Sequence, residues 1–150
     1  MRSLLEARSA AAMKARIAQL QPDSKREWGK MTAAQALAHC TLGLKLALGD
    51  MTPPRTVLGW TIGPLVKKMI FKDDEPMRRN SPTVKGLVVQ DDRDLGAERD
   101  RLYAMIDRFV GAGPDGCTRH PHSFLGRLTP QEWGALMHKH LDHHLRQFGV

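Results

Sequence analysis

Aromatic residues are scarce: four Phe, three Trp and one Tyr make up 5% of the chain. No stretch alternates aromatic with basic side chains, the pattern that stacks and neutralises single-stranded nucleic acid. Cysteine is scarcer still. Cys40 and Cys117 are too far apart in sequence for a Cys-x-x-Cys metal knuckle, and two residues make no disulfide framework. A reducing cytoplasm is the expected compartment. No apolar run approaches the ~20 residues that span a bilayer, so no membrane partner is expected. The N-terminal MRSLLEARSAAAMKARIAQL carries charges every few residues and lacks the unbroken apolar core of a signal peptide.

What is present suits one folded unit. The chain has 150 residues, of which 41% are hydrophobic and 26% charged, enough to bury a core without staples as a single domain over 1–150. The formal charge is +7, dense at Lys67, Lys68 and Lys72 and again at Arg78 and Arg79. With no recognisable reading helix beside it, that excess points to an anionic small-molecule substrate rather than to nucleic acid.

Helical signals dominate. Ser3 with Glu6 has capping-box spacing ahead of Leu4–Leu20, which Pro22 closes. Thr32 with Gln35 repeats the signature before AAQALAHCTLGLKLAL, ended by Gly49-Asp50. A third helix is expected over 55–71, weakened by Gly59, Gly63 and Pro64, and a fourth over 94–110, closed by Gly111 and Gly113. The last start is the strongest: Thr129 as N-cap, Pro130 in the first helical position and Glu132 at the third. Five helices and two long connections result. One connection, 72–93, holds Pro76 and Pro82, and its KGLVV is expected to form a short extended piece.

Histidine is the informative residue. On the last helix Trp133, Leu136, Met137, His140, His144 and Phe148 share an arc of roughly 120°, with Gln147 inside it and His143 at its margin. Two imidazoles one turn apart have Cβ atoms about 5 to 6 Å apart and can converge on one metal at about 2.1 Å. Burying such a pair without an ion leaves donors and acceptors that an apolar interior serves poorly. His39 shares a face of the second helix with Gln35, Leu42 and Leu46 and is the candidate third ligand. The alternatives are a helix-surface or satisfied core histidine at His39, and at His140 and His144 a core pair hydrogen-bonded to neighbouring backbone and water. His120 and His122, in CTRHPHSFLG, compete as ligands or substrate contacts. Cys40 lies about 100° around the helix from His39 and is read as a small core residue. Trp28, Trp60 and Trp133 are read as core anchors, and the acids of 73–75 and 91–94 as solvated loop charge.

The segments WGKMTAAQALAHC and HPHSFLGRLTPQEWGALMHKHLDHHLRQFGV resemble the DinB/YfiT-like superfamily, in a branch carried as a domain of unknown function. Its sharpest part is His140-x-x-His143-His144-x-x-Gln147, which resembles the superfamily's closing motif. By that resemblance the metal ligands are His39, His140 and His144. The implied architecture is all-α, a four-helix bundle with a short additional helix and long connecting loops, often dimeric. Characterised relatives include thiol-dependent S-transferases and a maleylpyruvate isomerase.

Three neutral imidazoles leave a divalent ion's charge uncompensated and a coordination position free. Zinc or nickel is expected first; iron and manganese also fit such donors. The reaction expected is thiol S-transfer, with a low-molecular-weight thiol as co-substrate, or metal-assisted hydrolysis. His143 and Gln147 are candidates for orienting ligands or substrate. Two other readings stand beside it: a non-catalytic metal- or ligand-binding module, and a basic nucleic-acid-associated protein.

Overall fold

The computed structural model describes residues 1–81 and 85–150. Among them are α1 (Ala7–Ile17), α2 (Ala33–Leu48), α3 (Val57–Thr61), α4 (Gly63–Ile70), α5 (Leu95–Ala112) and α6 (Pro130–Arg146), with single 3-10 turns at Lys85–Leu87 and Pro114–Gly116. The class is all-helical, and no strand occurs among the described residues; His122 and Gly126 form an isolated bridge.

Two helix starts form as their sequences dictate. Thr32 accepts from the Gln35 N–H at 3.2 Å while the Gln35 side chain takes the Thr32 N–H at 2.9 Å. Thr129 and Glu132 make the same reciprocal pair at 3.1 and 2.8 Å, satisfying donors that a helix start otherwise leaves unmade. Asp94 caps α5 through the Ala97 N–H at 2.7 Å. Gly49, at φ 81°, ends α2 in the left-handed region where glycine carries no Cβ penalty.

Three expectations are corrected. The Ser3–Glu6 capping box does not form, and α1 begins only at Ala7. The Glu6 N–H goes to the Ser3 carbonyl at 3.2 Å, and the Leu4 N–H reaches the Gly134 carbonyl of α6 at 2.9 Å with the Leu4 side chain fully buried. The single helix over 55–71 is two, α3 and α4, broken at Ile62. Pro64 has no N–H to return to the preceding turn, so it sits in the first turn of a new helix. KGLVV is not extended either: Lys85–Leu87 is a 3-10 turn that buries Leu87. Pro82 of that connection lies outside the described residues.

The long helices pack pairwise, α2 on α5 and α6, and α1 on α5 and α6. Ile17, Leu44, Leu102, Ile106, Phe109, Trp133 and Leu145 are buried where they meet, each contributing about 1.5 to 3 kcal/mol relative to exposure. Helix α6 is sunk further than an amphipathic stripe requires. His138, Lys139 and Asp142, outside the arc of Trp133, Leu136, Met137, His140, His144 and Phe148, are buried too. Asp142 is held by Arg16 and Arg146, each at 2.7 Å. Of the tryptophans, Trp133 is a core anchor as expected. Trp60 is not: it is 65% exposed.

Candidate metal centre

Helix α2 crosses α6 at a glycine. A Cβ on Gly43 would stand 2.9 Å from His140 Nδ1 and 3.0 Å from its Cε1, so any other residue here would require the ring or the helix to shift. One turn before Gly43, on the same face of α2, is His39. Its Nε2 lies 2.8 Å from His140 Nε2. His144, one turn beyond His140 on α6, completes the group. Ring centroids are 4.7 Å (His39–His140), 4.8 Å (His39–His144) and 5.0 Å (His140–His144) apart, and one candidate donor atom from each residue lies within 4.8 Å of the others. His39 and His144 are almost wholly buried, His140 partly so.

The second nitrogens select the tautomers. His39 Nδ1 donates to the Leu87 carbonyl at 2.7 Å, and His144 Nδ1 donates to Gln147 Oε1 at 2.9 Å. Gln147 is oriented in turn by giving its amide to the Trp28 carbonyl at 2.8 Å. Each ring protonated at Nδ1 keeps a lone pair on Nε2, the arrangement in which partners behind a histidine prepare it for a metal. Protons are disfavoured throughout. Burial, then the neighbouring histidines His39, His144, His143 and His122, hold His140 well below the ordinary range; burial and then His39 push His144 down to about 3. Burial also lowers His39, against the pull of the Leu87 carbonyl.

The donor set fits a divalent ion. Three nitrogens about 2.1 Å from one tetrahedral centre lie about 3.4 Å apart. The His39–His140 pair is closer than that and the widest separation looser, differences that adjustments of about an ångström in side-chain torsions span. Without an ion, His140 Nε2 would have to donate to His39 Nε2, because His39 already spends its one proton on Leu87.

The remaining candidates divide. His143 stacks edge-on against His144 at 5.0 Å and Trp28 at 5.6 Å, with Nδ1 3.4 Å from the Met77 carbonyl. It lines a cleft of about 470 Å³ shared with Trp28, Arg79 and Arg146. His122 does not join the three: its Nδ1 accepts from the Phe124 and Leu125 N–H groups, both at 3.1 Å, and holds a loop together. His120 is exposed and turned to the Pro121 carbonyl at 3.0 Å. Cys40 and Cys117 are free and buried, and burial raises both thiols. Sequence reasoning missed the Leu87 carbonyl, the Trp28 carbonyl and Gly43. The first two are backbone atoms and carry no residue signature; Gly43 was readable only as a glycine tolerated inside a helix.

Fold and site together define an all-helical protein with three clustered histidines able to hold a metal ion. The chain belongs to the family described as "Protein of unknown function (DUF1569)", whose profile matches residues 2–149. No curated protein matches the chain, and no solved structure does.

Proposed function

We propose that this protein is a metal-dependent enzyme of the DinB/YfiT-like kind, acting on an anionic small molecule by thiol S-transfer or hydrolysis. The observation that carries the reading is that His39, His140 and His144 meet with Nδ1 of both His39 and His144 already committed as donors. A purely structural trio would need no such agreement. When bound, a divalent ion supplies Lewis acidity, lowering the pKa of a thiol or water that reaches it. The chain's own residues do the rest. Leu87 and Gln147 hold the rings, burial keeps them unprotonated, and the Trp28–His143 cleft, joined to the centre by the His143–His144 contact at 5.0 Å, carries Arg79 and Arg146, paired with Glu27 and Asp142, as groups for an anionic substrate. The pairwise packing of α1, α2, α5 and α6 supports a bundle of that superfamily's type. Buried free thiols at Cys40 and Cys117 support a reducing, cytoplasmic setting.

Elemental analysis of protein purified without a histidine tag or added metal, paired with thiol-plus-electrophile and hydrolysis assays, tests the proposal. Near-stoichiometric metal and turnover are expected, both lost in His140→Ala. Metal retained by the wild type with no turnover above His140→Ala would assign the chain to a binding module instead. A wild-type metal content no higher than that of His140→Ala would remove the reading.

A further inference from the structure

Helices α3 and α4 seat Gly59, Gly63, Val66 and Ile70 toward the protein and turn their other large apolar residues to solvent. Gly59 and Gly63 are buried against the backbone of Phe124, so closely that a Cβ on Gly59 would lie 2.8 Å from both Phe124 Cα and its carbonyl oxygen, and one on Gly63 nearer still. The Thr56 N–H donates to the Ser123 carbonyl at 2.9 Å, and Arg55 Nη2 to the Gly59 carbonyl at 2.9 Å. The segment is thus held in place, and what it displays is apolar. Val57 is 82% exposed, Met69 66%, Trp60 65% and Leu65 63%, with Leu58 and Ile62 beside them. Single exposed apolar residues need no explanation, but six gathered on one mounted segment mark a contact surface.

Charge decides what that surface meets. From Met51 to Lys72 the chain has four basic residues, Arg55, Lys67, Lys68 and Lys72, and no acidic one. Lys67 is paired with Glu132 at 2.9 Å, but Lys68 is exposed and follows Leu65 by three residues on the same face of α4. A cleft of about 610 Å³ opens beside the patch, lined among others by Arg55, Trp60, His120 and Arg127. Arg55 lies over the Trp60 ring at 4.0 Å with its Nε buried and unpartnered. Of the acids that follow, the Asp74 carboxylate accepts the Arg2 N–H at 2.9 Å and the Asp73 carboxylate the Glu75 N–H at 3.1 Å, while Lys139 of α6 holds the backbone carbonyls of Asp73 and Glu75. Apart from Glu132, which Lys67 already occupies, this face offers a second copy of itself no carboxylate for its lysines.

We propose that the α3–α4 face is a peripheral docking surface for an anionic phospholipid membrane. Leu65, Met69 and Trp60 enter the headgroup–acyl boundary, Lys68 and Lys72 meet the phosphates, and the Arg55–Arg127 cleft receives a headgroup. No helix among the described residues is long and apolar enough to cross a membrane, so the contact is with its surface. Such a contact departs from the expectation of no membrane partner, which rests on spanning segments alone.

The test is co-sedimentation of the full chain with vesicles of phosphatidylcholine alone and with about 30 mol% phosphatidylserine. The expected result is binding about tenfold or more tighter to the anionic vesicles, weakened by salt. Leu65→Ser with Met69→Ser, and separately Lys68→Glu with Lys72→Glu, should each reduce it about tenfold. These side chains are exposed, and unchanged circular dichroism would confirm that the fold survives. Equal binding of wild type and variants, or equal binding to neutral vesicles, would overturn the proposal. So would phosphate binding measured by calorimetry without vesicle binding, or a dimer in sedimentation velocity that Leu65→Ser with Met69→Ser dissolves while vesicles remain unbound.

Discussion

A buried imidazole is defined by its second nitrogen. His122 and His144 are both pushed down by burial, to about 4 and about 3, yet they serve opposite ends. His144 donates through Nδ1 and keeps Nε2 open, whereas His122 uses Nδ1 as the acceptor for two backbone N–H groups that define the 122–126 turn. Protonating His122 at that atom removes both bonds. An unfolded histidine titrates near 6.5, so between about 6.5 and 4 the unfolded chain holds the proton that the folded chain refuses. Stability from His122 is therefore complete above about 6.5 and declines as pH falls toward 4, by up to about 3 kcal/mol. His122→Asn offers an amide oxygen as acceptor and cannot titrate. Urea unfolding of chelator-treated protein across this range should show a shallower pH slope for the variant; an unaltered slope would place the acid sensitivity elsewhere. His140 and His144 were legible in the sequence because one helical turn separates them. His122 was not, since its partners are backbone groups that only the closed turn brings to it.

Elements were readable where local chemistry settled them. Thr32–Gln35 and Thr129–Glu132 make their own helix starts, and Asp94 does the same for α5 with no distant help. Ser3–Glu6 has identical spacing and fails: the Glu6 N–H turns to the Ser3 carbonyl at 3.2 Å, while a tertiary bond from Leu4 to Gly134 fixes the segment on α6. The α3–α4 break follows locally from Pro64, but the seating of Gly59 and Gly63 on Phe124 depends on a residue some sixty positions later in the chain, which no window of local sequence contains. The crossing of α2 and α6 has the same character and can be tested at Gly43. Inside a helix, Ala is favoured over Gly by about 1 kcal/mol. Here the added methyl would press on the His140 ring. Gly43→Ala is expected to keep full helicity by circular dichroism while weakening metal binding about 10- to 100-fold in chelator competition, the range seen when a ligand's supports are disturbed. Undiminished affinity would show that the ring moves aside freely.

At the scale of the molecule, the three histidines join two helices that otherwise meet through apolar packing, with His39 on α2 and the other two on α6. The Leu87 and Trp28 carbonyls tie two connecting segments to the same point. An ion bound there and not to the unfolded chain adds about 2.7 kcal/mol of stability at a hundredfold excess over its Kd. For a chain of 150 residues that corresponds to roughly 5 to 10 °C in Tm. Treatment with a chelator should lower Tm by that amount, and re-addition of zinc or nickel should restore it. His144→Ala should melt at one temperature whether or not chelator is present. Because the link spans α2, α6 and the two connections, the loss should also appear as faster amide exchange in α6 and around Trp28, with α5, which supplies none of these contacts, less affected. A chelator-induced shift of the same size in His144→Ala would mean that the ion acts somewhere other than between these helices.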